Sequence, residues 1–143
     1  MWNSLKKQHG RGPDNTRLTR VSEHAIMGFN RLRIVDVSEI ADQPMKRGDL
    51  TLIANAEIYN FRDIQAKYGF QFETDCDIEI ILHLYEKYGS VDKFIDELDG
   101  VFAFMIHDGA TGETTVARDP IGVRPVHMGT DSEGTTPLPL RPR

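Results

Sequence analysis

The chain has 143 residues, 39% of them apolar and 27% charged, with a formal net charge of −5. That size and balance fit one soluble globular domain with a real core and exclude a disordered chain. Acids and bases are interspersed and no basic stripe stands out, so nucleic acid is not an expected partner.

Cys76 is the single cysteine, so no disulfide forms within the chain and a reducing compartment is the expectation. The start, MWNSLKKQHGRGPD, lacks the apolar core of a secretory signal, and no apolar run approaches membrane-spanning length. A cytoplasmic protein, or a piece of one, with no membrane partner is expected.

Residues 1–20 are polar and turn-rich, with the loop cluster GRGPDN at 10–15. AIMGF (25–29) and LRIVDV (32–37) read as strands, and DVSEIADQP (36–44) as a solvated loop. LTLIANA (50–56) is a stronger strand, and NFRDIQAKYG (60–69) a short helix with Asn60 as a candidate N-cap. Ile78, Ile81, Leu82 and Tyr85 share the i, i+3, i+4, i+7 spacing of one helical face. Asp75 and Asp77 stand near the start of that helix, where its dipole favours negative charge, and Gly89 stands where a C-cap belongs. SVDKFIDELDG repeats the helical pattern through Val91, Phe94, Ile95 and Leu98, closed by Gly100.

VFAFMIH (101–107) is apolar on both faces of a strand and needs cover above and below. DGATGE is a turn, TTVAR (114–118) a strand and RDPIGVRP (118–125) a loop. Residues 130–143 show no period and are expected to be a disordered tail. Strands, then helices, then strands define an α+β order, with two packed sheets and helices outside.

Polar residues at element ends carry the candidate chemistry. Arg31 precedes a strand, Asn55 and Glu57 end another, and Asp77 starts a helix. If they converge, a guanidinium pairs an α-carboxylate, two carboxylates hold an α-ammonium, and an amide N–H donates to a developing oxyanion. Taken singly, each has a plainer reading: Arg31 as a surface charge, Asn60 and Asp77 as helix caps. The five histidines show no ligand spacing and Cys76 adds no metal motif, so no metal site is expected.

RGPD (11–14), FNRLRIVD (29–36), NAEIYN (55–60), DIEIILHLY (77–85), LDGVFAF (98–104) and RDPIGVRP (118–125) occur in this order. Together they closely resemble the glutaminase domain of glutamine-hydrolysing asparagine synthetases, a class II glutamine amidotransferase. The resemblance covers roughly residues 10–130. It implies an N-terminal-nucleophile hydrolase-like αββα sandwich, with two antiparallel sheets between helical layers. The domain assignment is a divergent 1–10, a glutaminase domain at 11–129 and the tail. The implied reaction is hydrolysis of the glutamine side-chain amide. Its ammonia passes to a second, ATP-dependent domain that converts aspartate to asparagine. Carried over by position, Arg31 resembles the α-carboxylate ligand, Glu57 and Asp77 the α-ammonium ligands, and Ile34 and Val35 the backbone edge of the pocket. Asn55 and Ala56 resemble the oxyanion hole. Glutamine is the implied ligand. ATP and magnesium belong only to a synthetase domain, which is the implied partner in a full-length protein that admits a homodimer.

Departures from the family pattern qualify the expected activity. The family begins with a cysteine that is both nucleophile and, through its α-amino group, its own base. Here the sequence begins Met1-Trp2, so no catalytic residue is assigned, and Cys76 reads as an inert thiol. MWNSLKKQHG is too polar for the family's first strand, which leaves a sheet edge exposed. Ala56 stands where the family has glycine; alanine costs roughly 1–2 kcal/mol there if φ is positive and little if it is negative. No Gly-rich phosphate loop or synthetase motif is present. The expected function is a fragment of such a synthetase, catalytically inactive as written. A non-catalytic glutamine-binding or interaction module is the alternative, and a chain that does not fold stably is a third.

Overall fold

The computed structural model describes residues 15–23, 26–31 and 43–126, and for 15, 16, 30 and 31 the backbone alone. Strands β1 (Asn15–Arg20) and β2 (Ile26–Arg31) pair antiparallel as one sheet. A second, four-stranded antiparallel sheet runs in the order β3 (Met45–Arg47), β4 (Leu50–Ile58), β5 (Gly100–Asp108), β6 (Thr114–Arg118). Between β4 and β5 lie helices α1 (Phe61–Tyr68) and α2 (Glu79–Tyr88). Two antiparallel sheets with a helical layer make the α+β architecture expected of an N-terminal-nucleophile hydrolase-like sandwich.

The pleat of β4 sorts its residues. Leu52, Ala54, Ala56 and Ile58 face the helices, opposite Ile106, Phe104, Phe102 and Gly100 of β5. α2 packs onto this face with Ile80, Ile81, Leu82 and Leu84 essentially sealed from water. Each such side chain contributes roughly 1.5–3 kcal/mol by leaving water. Thr51, Ile53, Asn55 and Glu57 point to the other face, and β2 approaches β4. That face grows wetter along the strand: Thr51 is buried, whereas Asn55 and Glu57 are exposed.

Ile78, Ile81, Leu82 and Tyr85 are all buried, as their spacing predicts. The helix buries more than one stripe, because Glu79 and His83 are also enclosed. The Glu79 carboxylate accepts the N–H groups of Glu73 and Thr74 and the Thr74 hydroxyl, so it caps the preceding loop from inside the helix. His83 lies 3.3 Å from the same carboxylate and is stacked between Phe70 and Phe72. Gly69 and Gly89 end the two helices at φ 69°, a left-handed cap that favours glycine.

Three expectations require correction. SVDKFIDELDG forms no α-helix: it folds as two 3₁₀ turns, Val91–Lys93 and Ile95–Glu97. Val91 and Phe94 are buried as the pattern requires, but Gly100 must start β5, and the short span leaves room only for tight turns. Asn60 makes no side-chain cap. Its amide instead donates to the Glu97 carbonyl and accepts the Asp99 N–H, tying the start of α1 to the second turn. The strand reading at 50–56 stops short, since β4 continues to Ile58. Residues 32–37, most of 36–44 and the tail at 130–143 lie outside the described residues.

Candidate functional site

The end of β4 is held from both sides. Phe102 of β5 uses its N–H and C=O on Asp119, away from β4. Its partner across the ladder, Ala56, therefore turns its own N–H and C=O toward the outer edge of β4. Two residues earlier on this edge, the Gln43 side-chain amide brackets Ala54, accepting its N–H and donating to its carbonyl. Two residues later, Asp77 Oδ2 accepts the Ile58 N–H at 2.6 Å. Between these two clamps the Ala56 N–H faces the same edge.

Ala56 sits in a regular ladder, opposite Phe102, with extended backbone. Alanine therefore carries no left-handed strain at this position, and its Cβ packs against the core cluster.

Asp77 stands in the turn just before α2, half-buried beneath the end of β4. Burial pushes its carboxyl up; the N–H groups of Ile58, Asp77 and Ile78 pull it back, and the charge of Glu57 adds to the rise. The net shift is upward from the ordinary 3.8. Asp77 is thus no helix N-cap, because its side chain bonds a strand and not the first turn of α2.

Asn55 and Glu57 project from the opposite face of β4, and both are exposed. Glu57 Oε1 receives a hydrogen bond of 2.6 Å from Arg124 Nη2. Arg124 lies in the loop that follows β6, and that loop is wound around one buried carboxylate. Asp119 accepts the N–H groups of Gly122, Val123, Arg124 and Phe102. Burial alone raises the Asp119 carboxyl, but these four bonds outweigh it and hold it below its ordinary value.

The structure thus brings Asn55, Ala56, Glu57 and Asp77 to one strand end. Arg31 closes β2, the strand that approaches β4, and only its backbone is described; Ile34 and Val35 lie outside the described residues. Cys76 is buried, with Sγ 3.9 Å from Asp77 Oδ1. Sequence reasoning missed Gln43 and Arg124. Both act across 11 and 67 positions respectively, where no local periodicity connects the partners. A cavity of about 30 Å³ beside Met45, Arg47, Glu79 and Leu82 has room for a water molecule and not for an amino acid.

Residues 1–138 match the glutamine amidotransferase domain, and the chain belongs to that family. Within it, the chain is similar to glutamine-hydrolysing asparagine synthetases. It is 41% identical over 128 residues to asparagine synthetase B of Escherichia coli, covering 87% of this chain and 22% of that protein. The rat asparagine synthetase is 40% identical over 136 residues, covering 92% of this chain and 24% of the relative. The maize asparagine synthetase is 39% identical over 128 residues, covering 87% and 21%. The chain therefore spans less than a quarter of the length of the curated relatives it matches. Among the described residues no helix is long and apolar enough to cross a membrane.

Proposed function

We propose that the end of β4 is the substrate-holding wall of a glutaminase site, and that its ligand is glutamine. The supporting observation is the backbone edge of β4. Gln43 and Asp77 bond the backbone groups on either side, and the Ala56 N–H faces the same edge between them. In this reading Glu57 and Asp77 take the α-ammonium, and Arg31 takes the α-carboxylate with Ile34 and Val35 edging the pocket. The side-chain amide of glutamine then lies toward Asn55 and the Ala56 N–H.

As a nucleophile adds to the amide carbon, with water supplying the new oxygen over the whole hydrolysis, that carbon becomes tetrahedral and its oxygen gains negative charge. A fixed backbone donor and a side-chain NH₂ stabilise that charge without reorganising, and one such donor is worth about 10²–10³ in rate. The leaving group is ammonia, which a synthetase domain such as the relatives carry consumes. The site itself takes no metal or cofactor in this reading; ATP and magnesium enter only with that second domain.

A second reading is glutamine binding without turnover. It is favoured by the burial of Cys76, the chain's single thiol. Calorimetry with L-glutamine, paired with an ammonia-release assay, tests both readings. Saturable binding that falls at least tenfold in Arg31→Ala supports the site, since a charge-assisted contact is worth roughly 1.5–3 kcal/mol. Binding unchanged by that substitution sinks it. Ammonia release separates the glutaminase from the binding module.

A further inference from the structure

The Arg124–Glu57 pair joins two segments that the fold alone does not require to meet. Winding the loop after β6 around Asp119 directs Arg124 back across the sheet to β4. Its hold on Glu57 is end-on, one nitrogen to one oxygen, with the Arg124 Nε buried and without a hydrogen-bond partner among the described residues. Glu57 Oε2 has no hydrogen-bond donor among the described residues. A carboxylate with one oxygen fixed and the other open is oriented for an additional cation.

Two carboxylates near one another resist being ionised together. Burial and the Glu57 charge both push the Asp77 carboxyl up. The titratable and charged groups facing this pair are few among the described residues. Asp75 and Cys76 precede Asp77 on its own loop, and Arg62 of α1 lies 3.9 Å from Asp75. Arg124 is the cation bonded to Glu57 itself.

We propose that Arg124 is a positioning residue for an ammonium subsite. It fixes one oxygen of Glu57 and offsets its charge, leaving the other oxygen, with Asp77 at the same strand end, for a primary ammonium. The inference deepens the glutamine reading above and rests on it for the identity of the ligand.

The test uses the whole 143-residue chain. Carbon-detected NMR follows the Asp77 carboxyl titration with no ligand present. Its midpoint rises in Arg124→Met, returns in Arg124→Lys, and falls in Glu57→Gln, where adding Arg124→Met causes no further rise. Calorimetry then compares L-glutamine with glutaramate, the same molecule without the α-amino group. Glutamine binding weakens about tenfold in Arg124→Met, the scale of one charge-assisted contact, while glutaramate binding holds. An Asp77 midpoint that ignores Arg124→Met overturns the proposal. Equal weakening for both ligands also overturns it, because Arg124 then only braces the fold. If the unmodified chain binds neither ligand, the glutamine reading falls, and the Asp77 titration alone still decides for or against Arg124.

Discussion

Asp77 Oδ2 and the backbone N–H of Ile58 lie 2.6 Å apart, so the turn that opens α2 is tied directly to the last residue of β4. One carboxylate thereby serves the fold and faces the candidate site. The two roles separate by mutation. Asp77→Asn keeps an acceptor for the Ile58 N–H but loses the charge. Asp77→Ala leaves that N–H unmatched, at a cost of about 1–3 kcal/mol. Urea unfolding should therefore show a clear loss for the alanine variant and a small one for asparagine, whereas calorimetry should show glutamine binding lost in both. Glutamine affinity retained in Asp77→Asn would falsify the ammonium role.

Gly100 begins β5 directly opposite Ile58, and a Cβ there would run into the Glu57 carbonyl oxygen. Backbone cannot yield as a flexible side chain does. Gly100→Ala should cost about 1–3 kcal/mol, the usual scale of overpacking, and should also weaken glutamine binding by shifting β4 at the site. Gly89→Ala is the control. It places a side chain at φ 69° with open space around it, costs about 1–2 kcal/mol of stability, and leaves binding at saturating folded protein unchanged.

Acid should loosen the loop after β6. The Asp119 carboxyl lies below its ordinary 3.8 when folded, so its stabilisation is complete above that value and is lost as the pH falls through the folded midpoint. Glu97 has the same sign: its hydrogen bond from Lys67 is the largest cause, and those from Tyr68 and Tyr88 add to it, against burial. Asp77 has the opposite sign. Raised when folded, it stabilises below 3.8 and that contribution is lost as the pH rises. Thermal melts from pH 7 to 3 should fall on acidification, less steeply in Asp119→Asn and more steeply in Asp77→Asn. A melt curve for Asp119→Asn parallel to that of the unmodified chain would argue against this account.

Alkali should act elsewhere. The Tyr68 and Tyr88 hydroxyls lie 2.9 Å apart and each lies within hydrogen-bond distance of the Glu97 carboxylate, joining α1, α2 and the second 3₁₀ turn. The bond to Tyr68, then burial, then the bond to Glu97 push the Tyr88 phenol up to about 12. A raised folded value means stability present below 10.0 and lost as the pH rises through about 12. Ultraviolet titration of tyrosine should show a late component that disappears in Tyr88→Phe; a single early transition in the unmodified chain contradicts it.

Local chemistry was legible where one element settles the outcome by itself. The stripe of Ile78, Ile81, Leu82 and Tyr85 predicts α2, and Gly89 its end, because helix spacing and a left-handed cap depend only on neighbours in sequence. The same reasoning overreached at SVDKFIDELDG. Its apolar spacing is helical, but the chain must reach Gly100 in register with Ile58, and 3₁₀ turns meet that constraint. Asn60 failed as a cap for a similar reason: Glu97 and Asp99 offer its amide two bonds from a distant segment.

Motif order and side-chain period are properties of the chain, and they carried the family and the strand–helix–strand order. Tertiary structure decided the rest. Only the register of β4 against β5 shows that Ala56 is extended and directs its N–H to the open edge. Only the winding of a loop around Asp119 carries Arg124 to Glu57, 67 positions away. Hydrogen bonds and ion pairs act over a few ångströms through space, and sequence patterns record those distances only within a single helix or strand.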